Sequence, residues 1–321
     1  MSTHALGIDL GGTNLKVALV ERTDGIVEAR SHPTPAQNGP EAILDQMARQ
    51  ALELIKDHDV KPVGIGVGSP GAINWARTTV HHPPNFPGWK VVNVAKALRE
   101  RTGLAYAIVE NDANVAGLGS AYYGAGHSYD SFLMITLGTG VGGAIIYRNQ
   151  IFRGSTGGAG EIGHMTIDYE GPLANSGVGG AVEAYLGQQF LSRHAQQRLR
   201  HHPDSLVHTI TDHDLSNLTP RTLHQAATQG DEPAIKMLAW AGHKLGCALG
   251  AAVNLLDIRT IVVGGGVSKA GNFLLDPARK ALENHVVPSL RDGLVVKQEQ
   301  LGNEASLLGA ARLAFRAAEQ T

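Results

Sequence analysis

Along the chain the apolar positions change period several times, and each change marks an element. Three short β-type runs come first, ALGIDL, LKVALVE and IVEARSH, separated by GGTN and RTDG; they predict a meander of three antiparallel strands. From about 40 to 57 the pattern becomes helical, with Ile43, Met47, Leu52, Leu54 and Ile55 on an apolar face of only approximate period. PVGIGVGS (62–69) and LAYAIVEND (104–112) are continuous apolar runs that end in polar residues, the pattern of buried strands. The second passes into a short helix that breaks at Gly124.

The pattern restarts at Ser131. FLMITLGTGVGGAIIYRNQIF predicts two strands about a Gly-rich turn, an echo of DLGGTNLKVALV that points to a duplicated core. An irregular Gly-rich stretch follows from 160, then helices over about 181–199 and 220–254, with the His-rich segment RHHPDSLVHTITDHD between them. IRTIVVGGGVSKAG predicts a strand, a Gly turn and a helix start, LVVKQEQ a strand, and SLLGAARLAFRAAEQ a closing amphipathic helix. The reading is two α/β domains: a smaller one from 1–115 plus the helix at about 305–321, and a larger one from 116–304, with a hinge near 112–130.

Composition narrows the partners. With 321 residues, 43% of them hydrophobic, the chain can fill two cores. A net charge of -2 and the lack of any Lys/Arg run give no field for nucleic acid or anionic lipid, so a small neutral or mildly anionic partner is expected. The single Cys247 excludes a disulfide within the chain and suits the cytoplasm. MSTHALGIDL has no basic segment before its apolar run and is not read as a signal peptide. The most apolar later stretch, 245–258, is too short to span a membrane and contains Asn254 and Asp257.

The 40 glycines cluster after strand-like runs, where they serve close approach to phosphates. In Asp9-Leu10-Gly11-Gly12-Thr13, backbone N–H groups and the Thr hydroxyl can meet phosphate oxygens while the carboxylate faces a Mg2+ shell; its Asp-x-Gly-Gly part also suits a plain hairpin turn. Leu137-Gly138-Thr139-Gly140 repeats that design, and Gly264-Gly265-Gly266 follows the strand TIVV. The Walker motif does not occur at these loops, and the letters G-x-G-x-x-G at Gly138–Gly143 lie between two β-type runs instead of opening a helix, so the dinucleotide fingerprint is not met either. Three strand-linked glycine loops resemble instead the nucleotide cleft of actin, heat-shock chaperones and sugar kinases. Asp112, where VEND meets a helix, is placed either to cap that helix or to take a proton from an attacking hydroxyl.

In order along the chain, IDLGGTN, GVGSPGAI, ENDANVAG, LGTGVGGA, GEIGH, EAY, VVGGGVS and LGNEASLLGAA resemble the ROK family of sugar kinases and repressors, most closely its glucokinase-like branch. The resemblance implies the α/β, two-domain actin-like ATPase fold with a cleft between domains, and ATP-dependent, Mg2+-requiring phosphorylation of a hexose at its 6-hydroxyl, glucose first. Fructose, mannose or an N-acetylated amino sugar is the alternative, and a catalytically silent sugar-sensing or interaction protein the alternative of another class. By resemblance Asp112 is the general base; Asn111, Asp112, Glu161, His164 and Glu183 bind the sugar, with Gly71 and Asn85 at an edge of its pocket. The nucleotide and Mg2+ positions are Asp9, Gly11, Gly12, Thr13, Lys16, Gly138, Thr139, Gly140, Gly265 and Gly266. A homodimer through the larger domain is implied. Repressors of the family carry a helix-turn-helix before the first phosphate loop, and only eight residues precede Asp9 here, so no DNA-binding role is expected.

One departure stands out. The family carries a His and three Cys in the stretch that begins at GEIGH, the His being that of GEIGH itself, and these bind a structural zinc. Here that frame reads Ala174-Asn175-Ser176-Gly177-Val178-Gly179-Gly180-Ala181-Val182-Glu183: both framework glycines and the Glu are present, and all three thiolates are missing. One His without thiolates cannot close a four-ligand zinc site, so no structural zinc is expected and the loop must be held by packing and backbone hydrogen bonds. The pairs His81-His82 and His201-His202, with His208 and His213, are read as solvent-facing and assigned no metal.

Overall fold

β1 (His4–Leu10), β2 (Asn14–Glu21) and β3 (Gly25–Pro33) form the expected antiparallel meander in the computed structural model, which describes residues 3–319. Residues 1–2 and 320–321, which the expected domain ranges include, lie outside the described residues. β3 alternates half-buried and exposed positions, as an edge strand with one solvated face does. Helix α1 (Gly39–His58) carries a proline in its first turn, where the missing N–H costs nothing. It buries Ile43, Leu44, Met47, Ala51 and Leu54, whereas Leu52, assigned to the apolar face from sequence, is 40% exposed. β4 (Gly64–Ser69), wholly buried, lies parallel to β1. A small antiparallel sheet of β5 (Ala72–Ile73), β6 (Val80–His81) and β7 (Val91–Val92) follows, then α2 (Val94–Thr102), β8 (Tyr106–Asn111) and α3 (Asp112–Tyr123).

The second series is β9 (Phe132–Leu137), β10 (Val141–Tyr147) and β11 (Gln150–Ile151), then α4 (Glu183–Leu186), α5 (Gln188–Leu199), α6 (Leu206–Ile210), α7 (Pro220–Thr228) and α8 (Glu232–Leu256). It closes with β12 (Thr260–Gly264), α9 (Asn272–His285), β13 (Val295–Gln298) and α10 (Glu304–Glu319). Two expected helices are each split. The one over 181–199 breaks at Gly187, which is extended, and the one over 220–254 breaks at Gly230, whose φ of +84 ends α7 before Asp231 caps α8. The His-rich segment, read as a polar connection, contains the short helix α6, capped by the Ser205 hydroxyl.

The two five-stranded sheets run in the orders β3-β2-β1-β4-β8 and β11-β10-β9-β12-β13. They match position for position, with parallel pairs β1/β4 and β4/β8 in one and β9/β12 and β12/β13 in the other. This is the duplicated core that the echo at Ser131 predicts. The chain divides into two compact units: residues up to Asp130, Ala144–Gly160 and the segment from Asn303 make the first, and Ser131–Gly143 with Glu161–Gly302 the second. The first crossing falls at 130/131 rather than 115/116, because the whole of α3 packs on α10 within the first unit.

That packing is backbone on backbone. A Cβ on Gly66 of β4 would stand 1.7 Å from the Ala310 carbonyl oxygen, and one on Gly309 of α10 equally close to that of Val115. Only glycine fits at these contacts, and α10 is thereby seated against the strands that end at the candidate site. Among the described residues no helix is long and apolar enough to cross a membrane.

Candidate active site

In the first unit, parallel register brings the ends of three strands level. Asp9 of β1 pairs with Gly68 of β4, which pairs with Glu110 of β8, so Asp9 lies one residue from the end of its strand, level with the ends of β4 and β8 at Ser69 and Asn111. Asn111 is the N-cap of α3: its side-chain oxygen accepts from the backbone N–H groups of Ala113 and Asn114, at 2.9 and 3.2 Å. This separates the two roles left open for Asp112. Asn111 does the capping, and Asp112 is the first helical residue, with one carboxylate oxygen accepting from Ala113 N–H at 2.9 Å.

Burial holds the Asp112 carboxyl above the usual carboxylate range, against the pull of its Ala113 and Asn111 hydrogen bonds. Asp9 is pushed up to about 6, first by burial; Lys16, with Nζ 3.7 Å away, draws it down, and the Asp112 charge pushes it up again. Asp9 thus senses the charge of Asp112, with Lys16 as its counter-charge. A divalent cation at Asp9 suits this charge pattern, since it would favour the charged form of a carboxyl that burial and the Asp112 charge push toward neutrality.

The remaining predicted residues of this unit gather nearby or on the small sheet. Gly11, Gly12 and Thr13 form the β1–β2 turn, closed by Gly11 N–H to Asn14 carbonyl at 3.0 Å and tied down by the Thr34 hydroxyl on the Gly11 carbonyl. Gly12 and Thr13 are exposed. Asn85 has left-handed backbone, φ 68, on a loop pinned by the buried Phe86–Trp89 edge contact. A Cβ on Gly12 would touch Asn85 at 3.3 Å, so a predicted nucleotide residue and a predicted sugar residue are neighbours. Gly71, with φ 92, opens β5.

In the second unit Val141 is the hub. Its N–H donates to the Glu183 carboxylate at 3.2 Å, and its carbonyl lies against Gly163, where a Cβ would approach to 1.9 Å. The glycine of GEIGH is therefore required by contact with the end of the Gly138-Thr139-Gly140 loop. Glu183, predicted to bind sugar, spends one oxygen on this clamp; the Gln188 N–H adds a second tie to the Gly138 carbonyl at 2.9 Å. Gly138 has open space where a side chain would stand, as does Gly266. Gly265 does not: with φ 87 it lies on the backbone of Leu137, its Cβ position 2.3 Å from that carbonyl oxygen.

Glu161 and His164 bound one short turn, with His164 Nε2 3.7 Å from a Glu161 oxygen. The Gly-rich stretch after them is more ordered than its composition suggests. Thr166 bridges to Ala181 and Leu173 to Gly179, while the Tyr185 hydroxyl donates to Asp168 at 2.9 Å and Lys244 lies 4.0 Å from the same oxygen. His164 Nδ1 is 3.2 Å from the Ser176 hydroxyl, one of the three positions that hold thiolates in the family frame. Among the described residues no group of three or more His, Cys, Asp or Glu is placed to hold a metal ion. Ser176 reads from sequence only as a missing zinc ligand, and the parts played by Asp168, Tyr185 and Val141 do not read at all; the polar pair Asp168 and Tyr185 inside a Gly-rich segment is the available signal.

The comparisons with known proteins agree with this geometry. The ROK family model matches residues 5–317. The chain is 32% identical over 308 residues to a glucokinase of Thermotoga maritima, covering 96% of each chain. It is 35% identical over 309 residues to a glucokinase of Halalkalibacterium halodurans, covering 95% of this chain and 92% of that one. Among solved structures, a ROK family glucokinase from Streptomyces griseus in complex with glucose and AMPPNP matches at a TM-score of 0.84 and 33% identity, over 98% of this chain and 99% of that chain. The fold is that of the two-domain actin-like ATPases, and with a family match over nearly its whole length the chain belongs to the ROK family.

Proposed function

We propose that the protein is an ATP-dependent sugar kinase that phosphorylates glucose at its 6-hydroxyl. The observation that carries this reading is the state of Asp112: relieved of capping by Asn111, half-buried, and held toward neutrality at the strand ends beside Asp9. A carboxylate with its affinity for protons raised is suited to take one from an attacking hydroxyl. In the proposed step Asp112 accepts the 6-hydroxyl proton, the oxygen bonds to the γ-phosphorus, and the bond to the β,γ-bridging oxygen breaks to release ADP. Glucokinase relatives at 32% and 35% identity support the substrate, and the related glucokinase structure in complex with glucose and AMPPNP supports the donor.

Asp9 is assigned to Mg2+, which when bound neutralises charge on the transferred phosphoryl group. Gly11, Gly12, Thr13, Lys16 and the Gly138–Gly140 and Gly265–Gly266 loops are assigned to the nucleotide, with the open face of Gly138 in support. Asn85, Asn111, Glu161, His164 and Glu183 are assigned to the sugar, with Gly71 shaping its edge. The zinc of the family frame does not fit this chain, since Ala174 and Ala181 carry no ligand atom and Ser176 bonds to His164. A cytoplasmic homodimer is part of the reading; Tyr169, 90% exposed, and Leu173, 66% exposed, offer apolar surface on the second unit.

The test is ADP release in a coupled assay with glucose, fructose, mannose and N-acetylated amino sugars, comparing ATP with polyphosphate as donor. ATP-dependent turnover highest on glucose is expected. Preference for another hexose would replace the substrate, and binding without turnover of any sugar would replace the enzyme by a sensor.

A further inference from the structure

Strand β8 is apolar until its end, where Glu110 stands with a side chain that is 0% exposed, directly before Asn111 and Asp112. An ionised carboxylate at such a depth needs compensation. Two guanidinium groups give it: Arg77 Nε donates to Oε2 at 2.8 Å, and Arg153 Nε lies 2.8 Å from the same oxygen, as an ion-pair contact whose N–H is not aimed along the line. The other oxygen, Oε1, accepts from the Asn111 backbone N–H at 2.9 Å and from the Asn114 amide at 3.2 Å. The carboxylate thus divides its two oxygens, one for the arginines and one for the residue that precedes the candidate base.

Both arginines come from segments bearing other candidate residues. Arg77 ends the turn between β5 and β6, which follows Gly71, and adopts left-handed backbone at φ 57. The Asn74 side chain shapes that turn by accepting from the Thr78 and Thr79 N–H groups at 2.8 and 3.0 Å, and the Arg77 carbonyl accepts from Val109 N–H of β8 at 2.9 Å. Arg153 is 6% exposed, donates to the Trp75 and Asn74 carbonyls at 2.7 and 3.0 Å, and its own carbonyl accepts from Gly157 and Ala159 in the stretch leading to Glu161. A strained, non-glycine backbone that delivers a charge to a buried partner suggests a functional constraint rather than a surface accident.

We infer that Glu110, Arg77 and Arg153 form a positioning network for phosphoryl transfer: Glu110 fixes the Asn111 backbone, and through it the cap of α3 and the place of Asp112, while the arginines lock the two flanking segments to that point. The inference rests on the proposed role of Asp112. None of the three need touch a substrate.

The test uses the full chain with Glu110→Asp, which keeps the charge but shortens its reach toward Asn111, and Arg77→Gln, at a side chain 28% exposed and therefore tolerant. Melting temperature, kcat and both KM values are measured beside Asp112→Asn. A displaced base is expected to lower kcat roughly tenfold or more in folded Glu110→Asp, and Arg77→Gln to lower it less, with the KM for ATP within about twofold and the two effects less than multiplicative when combined. A merely structural role would move melting temperature and leave kcat in place. Folded Glu110→Asp or Arg77→Gln with wild-type kcat, while Asp112→Asn is silent, would overturn the network alone. If Glu110→Asp does not fold, Arg77→Gln decides. An active Asp112→Asn would remove the proposed base and this inference with it.

Discussion

His164 Nδ1 lies 3.2 Å from the hydroxyl of Ser176, twelve residues further on, so the ring that begins the Gly-rich loop is bonded to the loop's far side. In the family frame the same two positions are joined by a metal. Here a single hydrogen bond ties them, supported by the Tyr185–Asp168 bond and short strand bridges. A net hydrogen bond contributes about 1 kcal/mol, far less than zinc ligation does in small zinc domains, about 10–16 kcal/mol.

The first prediction follows from that contrast. Purified protein should contain far less than one zinc per chain, and treatment with EDTA followed by excess Mg2+ should leave activity and melting temperature unchanged. Ser176→Ala should raise the sugar KM by roughly 2- to 10-fold, the equivalent of about 0.5–1.5 kcal/mol, with the fold intact. Stoichiometric zinc, with activity lost on chelation and regained on adding the metal, would reject the assignment.

Asp112→Asn should bind sugar nearly as the parent does and lower kcat by roughly 10²- to 10⁴-fold, the usual worth of a general base. Isothermal titration with glucose beside steady-state kinetics separates the two effects. A variant with near-parental kcat would take Asp112 out of the mechanism.

Gly138 and Gly265 should respond differently to valine. Gly138 has open space, so Gly138→Val should fold and raise the KM for ATP roughly tenfold, about 1.4 kcal/mol, more than that for sugar. Gly265 combines φ 87 with contact on the Leu137 backbone, so Gly265→Val should fail to fold or melt far below the parent. Equal KM effects on both substrates in Gly138→Val would locate the damage in the fold instead.

Asp9 makes stability depend on pH in a stated direction. Its pKa is about 6 in the folded chain against 3.8 as the reference, so between those values the folded chain keeps a proton that the unfolded chain has lost. Stability from this group is therefore greatest below pH 4, falls as pH rises toward 6, and stays lower above. Asp9→Asn should raise stability at pH 7.5 by about 1–3 kcal/mol, less whatever Lys16 loses with its partner, and by little at pH 4.5, while abolishing turnover. Thermal melts of both proteins at the two pH values check this; an equal gain at both would contradict the burial of the Asp9 charge.

Most of the architecture was legible because periodicity and glycine placement are local signals. Strands β1, β2, β4, β8, β9 and β10 fall where alternation or continuous apolar runs put them. What local signals could not carry was partnership. Leu52 looks apolar but faces water, since only contact with a sheet decides which side of a helix is inward. Gly187 interrupts a helix-forming run just where Gln188 ties its N–H to the Gly138 carbonyl, a contact between residues fifty positions apart. Glu110 reads as one letter of the ENDAN motif, and its arginine partners lie 33 and 43 positions away, with no pattern in sequence to announce them.

The glycine contacts that seat α10 have a consequence for synthesis. The first unit needs Gly66, which is made early, and Gly309, which is made after every residue of the second unit. On the ribosome the sheet ending at Asp9 and Asp112 must wait roughly ten seconds or longer for its covering helix, at ordinary elongation rates. During that interval the faces of β1, β4 and α3 that α10 covers stay without their partner. The candidate base is thus fixed in place only after the whole second unit has been made, and a ribosome stalled before residue 304 would hold a first unit without its covering helix.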